Sequence, residues 1–249
     1  MEYKFTEKGH RYEALVDGVW KKMTGCTTML NRVIAKPQLI PWSAKMAVEH
    51  FKKNKKRLDN EFDTVCDEAK VAHRKKKEEA GEKGTNVHEI IEKIIKEAIR
   101  NDSIVSIPKE FEENKQVKHF IDWALENKVK FLESEKILCS EKMFMGGTVD
   151  FVCEIDDQIF IGDIKTGKDI YADAFFQIAG YHIMLEEMGL YKNVTGYVVL
   201  NLRKDGTFKE ARSISNDENK KAFLNYYEID KITQKLNNNI IQTRKFIKQ

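Results

Sequence analysis

The sequence predicts an α/β fold: a central mixed sheet flanked by helices, with a mainly helical elaboration on its N-terminal side. Three observations carry this. Phe151-Val152-Cys153-Glu154-Ile155 and Gln158-Ile159-Phe160-Ile161 are joined by Asp156-Asp157, which reads as two strands and a tight turn. Val87, Ile90, Ile91, Ile94, Ile95 and Ala98 recur at i, i+3, i+4, i+7, i+8 and i+11, the spacing of an amphipathic helix. Residues 193–202 contain Tyr197-Val198-Val199-Leu200, a near-continuous apolar run typical of an interior strand.

From the N-terminus, Tyr3-Lys4-Phe5 and the stretch from Arg11 to Val16 are β-like, and Asp17-Gly18 makes a hairpin turn into Val19-Trp20. Thr27 or Thr28 caps a short helix over 29–34. Beyond Pro37 and Pro41, residues 43–53 are helical in pattern, with Ser43 as the N-cap, and a charged helix follows over 58–80. Gly81 and Gly84 then interrupt an otherwise helical stretch, at about 1 kcal/mol each relative to alanine. A break between two helices is one account of them. Residues 101–109 form a polar loop containing Pro108, and residues 111–134 read as a helix carrying Val117, Phe120, Ile121, Trp123, Ala124, Val129, Phe131 and Leu132. The first strand of the sheet is placed at 136–144, with Glu141 inside it. After the 193–202 strand comes a turn at Arg203-Lys204-Asp205-Gly206. The tail, 217–249, is helical and basic at its end through Arg244, Lys245 and Lys248.

No repeat, low-complexity tract or long linker divides the chain. It reads as one domain over 1–249: a hairpin and helical elaboration over 1–83, a core over 84–202 and a helical tail over 203–249. With 249 residues, 41% hydrophobic and 33% charged, the chain is expected to be soluble, globular and able to bury a sizeable core. No apolar run approaches the ~20 residues a membrane span requires. The start, Met1-Glu2-Tyr3-Lys4-Phe5, lacks an apolar signal core and an Arg-rich leader. The expectation is a cytoplasmic protein with no membrane partner.

Asp163 and Lys165 fall on one face of their strand because side chains repeat every two residues, and Asp150 comes in from the neighbouring strand. Two carboxylates and an ammonium converging on a sheet face suit a metal-dependent phosphodiesterase. Hard cations such as Mg²⁺ bind carboxylate oxygens, lower the pKa of a bound water and offset charge on phosphoryl oxygens. A lysine two residues after a ligand can orient that water or stabilise the transition state. For Asp-x-Lys alone, a salt bridge at a hairpin end is the competing reading. Gln177 and Tyr181, four apart, share one helical face, while Phe176, Ile183 and Met184 supply a core stripe. His88 lies beside the apolar stripe of its helix, where it either points along the sheet face or serves as a core histidine.

The order His88, Asp150, Asp163-x-Lys165, Gln177-xxx-Tyr181 resembles the PD-(D/E)xK nuclease superfamily, and within it the RecB-like exonuclease branch that includes Cas4 and the mitochondrial genome-maintenance exonucleases. The segments Gly84-Thr85-Asn86-Val87-His88-Glu89, Gly146-Gly147-Thr148-Val149-Asp150, Asp163-Ile164-Lys165-Thr166-Gly167 and Gln177-Ile178-Ala179-Gly180-Tyr181 look like that branch's successive motifs. Met23-Thr24-Gly25-Cys26-Thr27-Thr28-Met29-Leu30, followed by Leu39-Ile40-Pro41-Trp42-Ser43-Ala44-Lys45, looks like the leader of phage-type members. The likeness spans roughly residues 10–202. One departure is Asp163, where many relatives carry glutamate.

The resemblance implies a restriction-endonuclease-like core and metal-dependent DNA hydrolysis with Mg²⁺ or Mn²⁺. By it, Asp150 and Asp163 bind the metal with the Ile164 carbonyl as a third ligand, and His88 ligates a metal or contacts the scissile phosphate. Lys165 positions the nucleophilic water or stabilises the transition state, and Gln177 and Tyr181 orient Lys165 or touch the DNA backbone. Some relatives hold an iron–sulfur cluster through a C-terminal cysteine triplet. Here the cysteines are Cys26, Cys66, Cys139 and Cys153, so that arrangement is absent and free thiols are expected.

The formal charge of +3, from 43 basic against 40 acidic residues, is too near neutral to announce DNA binding globally. Locally, Lys55, Lys56 and Arg57 after Lys52-Lys53, and Lys75, Lys76 and Lys77 after His73-Arg74, are either solvated helix faces or phosphate contacts. Close approach of backbone to DNA is the second account of Gly81 and Gly84, favoured because His88 follows one turn later. The preferred expectation is an exonuclease acting on single strands or duplex ends in recombination, repair or replication, in a bacterial or phage-infected cell. A recombinase or single-strand-binding protein is a candidate partner. A structure-specific endonuclease of the same fold and a non-catalytic nucleic-acid-binding protein are the alternatives.

Overall fold

The structure, a computed structural model, describes the backbone of residues 1–247 and the side chains of residues 1–78 and 87–240. The chain packs as two units, one of Met1–Ile34 with Ile90–Gln249 and the other of Ala35–Glu89.

In the larger unit, β1 (Tyr3–Thr6), β2 (Arg11–Val16) and β3 (Val19–Lys22) form an antiparallel three-stranded sheet. Its second turn is the expected Asp17-Gly18, with φ of 53° and 75°, the left-handed pair that a two-residue hairpin turn uses. The main sheet comprises β4 (Thr24–Gly25), β5 (Lys130–Ser140), β6 (Met145–Ile155), β7 (Gln158–Lys165), β8 (Val194–Leu202) and β9 (Phe208–Ser213). The order is β4-β6-β7-β8-β9, with β5 along the other edge of β6. The sheet is mixed: β4–β6 and β7–β8 are parallel, and the remaining pairs are antiparallel.

The helices are α1 (Cys26–Val33), α2 (Leu39–Lys53), α3 (Leu58–Asn101), α4 (Lys115–Glu126), α5 (Ala172–Glu187) and α6 (Asn216–Ile247). Parallel strands need a crossover, and α5 supplies it between β7 and β8. Its surface is apolar nearly all round, so it is sandwiched between the sheet and the layer of α1 and α6; Met29, Val149, Ile161, Ile178, Met184, Tyr197 and Phe223 meet there. On the other side of the sheet α4 packs Phe120 and Trp123 against Phe131 and Phe151, with ring centroids 5.6 to 6.1 Å apart. Among the described residues, no helix is long and apolar enough to cross a membrane.

Several boundaries differ from the sequence expectation. Helix α1 starts at Cys26, not Met29, and neither Thr27 nor Thr28 caps it; Gly25, held in β4, stands at the cap. Helix α2 starts at Leu39, which places Ser43 inside it and Pro41 in the first turn, where a missing N–H costs nothing. Helix α3 has one non-helical residue, Glu61, and runs on through Gly81 and Gly84, so a break between helices, one of the two accounts of these glycines, is not there; the surroundings of both lie outside the described residues. The periodic stripe from Val87 to Ala98 is buried as expected.

Helix α4 ends at Glu126, so Val129, Phe131 and Leu132 do not belong to it. Lys128 takes φ 49°, its amide bonds the Leu125 carbonyl and that of Val129 bonds Ala124, a left-handed helix stop that turns the chain into β5. Strand β5 then ends at Ser140, and Glu141 lies in the turn to β6, exposed and paired with the N-terminal amine. Strand β9, after the expected turn at 203–206, was not legible in the sequence. Arg244, Lys245 and Lys248 lie outside the described residues. All four cysteines are free; Cys139 and Cys153 sit at opposite ends of the β5–β6 ladder, facing Gly146 and Phe131.

Candidate active site

The site forms where β6 and β7 part. Their ladder runs from Ile155 opposite Gln158 to Phe151 opposite Gly162 and stops. Its register is pinned by Asp156 and Asp157, both left-handed at φ 49° and 61°, as a two-residue primed turn demands. Beyond Gly162, β7 keeps its pairing with β8 as far as Lys165 opposite Asn201, but has lost β6 on its other edge. The amide of Ile164 faces that gap and donates to Asp150 Oδ2 at 2.7 Å. A carboxylate thus replaces the missing strand partner, and this fixes Asp150 beside Asp163.

Alternation on β7 turns Ile161, Asp163 and Lys165 toward α5. Lys165 Nζ donates to Asp163 Oδ1 at 2.7 Å and stands equally close to Oδ2, yet Oδ2, fully buried, has no hydrogen-bond partner. Gln177 Oε1 accepts from Lys165 at 3.4 Å, and its Nε2 donates to Tyr181 Oη at 2.8 Å and to Asp163 Oδ1 at 3.5 Å. One turn of α5 therefore holds Gln177 against the Asp-x-Lys pair with Tyr181 behind it. The ring of Tyr181 lies on Gly147: a Cβ there would stand 2.6 Å from Tyr181 Cε1, so the glycine is required for close approach. Asp150, Asp163, Ile164, Lys165, Gln177 and Tyr181 are brought together here.

Burial pushes the Asp163 carboxyl up to about 7; Lys165 opposes the rise and Asp150 adds to it. Burial works against the Lys165 ammonium, but Asp163 and Asp150 outweigh it and hold its pKa above the ordinary range. Burial also holds the Tyr181 phenol well above its usual value, so Tyr181 stays protonated and neutral.

One acidic residue was missed. Glu135 faces Asp150 across the β5–β6 ladder, between the pairs Ser134–Phe151 and Lys136–Val149. Each offers a carboxylate oxygen within 4.8 Å of the other. Glu135 adopts φ 48° in the middle of a strand, a left-handed conformation that costs a residue with a Cβ roughly 1–2 kcal/mol. Burial, Asp150 and Glu92 push its carboxyl up to about 8. The expected strand begins six residues late, at 136 in place of 130, which leaves Glu135 outside it. Nothing local marks Glu135; only the register with β6 does.

A carboxyl raised in the fold binds a proton that the unfolded chain has released, so stability falls as pH climbs from about 4.5 to about 8. Glu135→Gln removes that loss. Thermal melts in chelator should show the variant matching wild type below pH 4.5 and melting higher above pH 8. A difference independent of pH would refute the crowding of acids at this position.

His88 is half-buried on α3, in the unit 35–89, one turn upstream of Glu92 on the same helical face. Lys55 and Lys56 are exposed in a 3₁₀ turn, and Lys75, Lys76 and Lys77 are exposed on α3. Arg57 differs: its guanidinium donates to Glu61 at 2.6 Å, to Glu68 at 3.0 Å and to Asn54 at 3.1 Å. It ties the 3₁₀ turn to α3, and His50 joins at Glu68. Comparison with known proteins returned no matching family model and no matching curated protein.

Proposed function

We propose that this chain is a divalent-metal-dependent deoxyribonuclease of the PD-(D/E)xK type, acting as an exonuclease. One observation carries the reading: at the parting of β6 and β7, Asp150, Asp163 and Lys165 converge, with Gln177 and Tyr181 supporting them from the crossover helix. The donor set suits a hard cation, since it consists of oxygens, and Asp150 and Glu135 each offer a carboxylate oxygen within 4.8 Å of the other. Asp150, Asp163, the Ile164 carbonyl and Glu135 would hold Mg²⁺ or Mn²⁺, with His88 added by the resemblance. Such an ion, when bound, polarises a phosphoryl oxygen and acidifies water.

The protein's own part is positioning and charge. Lys165 carries a proton throughout, because two carboxylates stand beside it, and its ammonium donates to the attacking water or to the phosphoryl oxygen. Gln177 limits where that ammonium points, and the neutral Tyr181 hydroxyl accepts from Gln177 and so fixes the amide's orientation. The exposed lysines at 55, 56 and 75–77 suit phosphate contacts along a strand. Arg57, engaged with two carboxylates, is a structural tie in this reading.

The test is cleavage of linear and covalently closed DNA by the purified protein in Mg²⁺, Mn²⁺ or chelator. Linear DNA should be degraded only with metal, while closed circles survive. Circles cut as fast as linear strands would make the protein an endonuclease. Absence of metal-dependent cleavage on any substrate would leave a non-catalytic nucleic-acid-binding protein.

A further inference from the structure

Asn201 lies on β8 between Leu200 and Leu202, and all three are fully buried. A carboxamide in such a place costs stability unless its polar atoms are used. It is used. With its nitrogen turned toward β7, Asn201 donates to the carbonyl of Lys165 at 3.2 Å and to that of Gly167 at 3.1 Å. The opposite orientation would set the amide oxygen against those same carbonyls, two acceptors facing an acceptor. The surroundings therefore decide which way the amide faces.

These two carbonyls lie where the sheet loses control of the chain. Lys165 is the last residue of β7, its ladder partner on β8 is Asn201 itself, and Gly167 is already beyond the strand. On the edge of β7 that β6 left, Asp150 accepts from the Ile164 amide. Meanwhile the Lys165 ammonium has one short ion pair, to Asp163, and one long bond, 3.4 Å, to Gln177. Asp163 holds the ammonium but rides on the same strand, so the place of the pair relative to Asp150 and Gln177 also depends on where the backbone of residue 165 is pinned.

We propose that Asn201 is a positioning residue for Lys165: its side-chain amide clamps the Lys165 and Gly167 carbonyls together, fixing the end of the catalytic strand. It touches neither substrate nor metal and acts through the lysine. This rests on the nuclease reading above, so the experiment has one arm that needs no activity.

Two variants separate the outcomes. Asn201→Ala removes both donors, and Asn201→Ser restores one hydroxyl donor. The first arm is hydrogen–deuterium exchange over residues 162–168, compared with the rest of the sheet. Asn201→Ala should speed exchange there and not in β5, and Asn201→Ser should restore part of the protection. The second arm is kinetics under metal-saturated conditions. Displacing a catalytic group slightly lowers kcat more than binding, so Asn201→Ala should lose about tenfold or more in kcat with KM within about threefold. Asn201→Ser should fall between Asn201→Ala and wild type.

Unchanged exchange over 162–168 in Asn201→Ala would overturn the clamp. Faster exchange throughout the sheet, with activity falling only as the folded fraction falls, would make Asn201 a core residue and overturn its positioning role. An inactive wild type beside locally faster exchange would overturn the nuclease reading and, with it, the catalytic part of this proposal.

Discussion

Lys165→Ala should lower kcat by about 10²- to 10³-fold while leaving the Kd for DNA nearly unchanged, because a single placed donor to developing charge is worth about 3–4 kcal/mol. The magnitude follows from the setting. The ammonium is held 2.7 Å from a fully buried carboxylate and is backed by Gln177. It is therefore aimed inward at the site and is poorly placed to serve as one more surface phosphate contact. Single-turnover cleavage at saturating metal, paired with DNA binding in Ca²⁺ or chelator, separates the two effects. A large loss of binding with little change in the cleavage step would make Lys165 a phosphate clamp. The substitution also strips Asp163 of its counter-charge, so Asp163 should titrate higher in the variant, and the variant's melting temperature should fall further behind wild type as pH rises through neutrality.

Asp163→Asn should abolish metal-dependent cleavage and yet leave the protein folded. Asparagine keeps the shape and loses the charge that would hold a cation. The stability effect has a definite sign. The Asp163 carboxyl is raised from 3.8 to about 7, so the folded protein takes up a proton over that interval that the unfolded chain does not. Wild-type stability on account of this group therefore falls as pH rises from about 4 to about 7, and asparagine escapes the loss. In chelator, the variant's melting temperature relative to wild type should improve across that window and level off above it. Added Mg²⁺ should raise the wild-type melting temperature and not that of the variant, since only the former would bind it. Full cleavage by Asp163→Asn in Mg²⁺ would remove the metal from the proposed mechanism. A variant that melts lower at every pH would show that the pair with Lys165 contributes more than burial of the carboxylate costs.

The sequence by itself determined the local pieces of this site. Two-residue alternation placed Asp163 and Lys165 on one face, the acidic pair Asp156-Asp157 marked the hairpin, and four-residue spacing put Gln177 and Tyr181 on one side of α5. Short-range geometry is enough for each, because the period of the backbone fixes side-chain direction within an element. The buried stripe from Val87 to Ala98 was legible for the same reason. Boundaries were less so. Val129, Phe131 and Leu132 fit an apolar helix as well as a strand, and only the left-handed Lys128 and the pairing of β5 with β6 decided between them.

Tertiary structure alone decided the rest. That Asp150 caps Ile164 depends on β6 and β7 separating after Gly162, and Glu135 enters the site through a register between strands and one left-handed residue. Gly147 is required because Tyr181, 34 positions later, lies against it, and Asn201 reaches Lys165 only because β8 runs parallel to β7 after a crossover. Each of these is a contact between residues far apart in the chain. Local periodicity tells which face a side chain takes but carries no information about which residue of another strand it will meet.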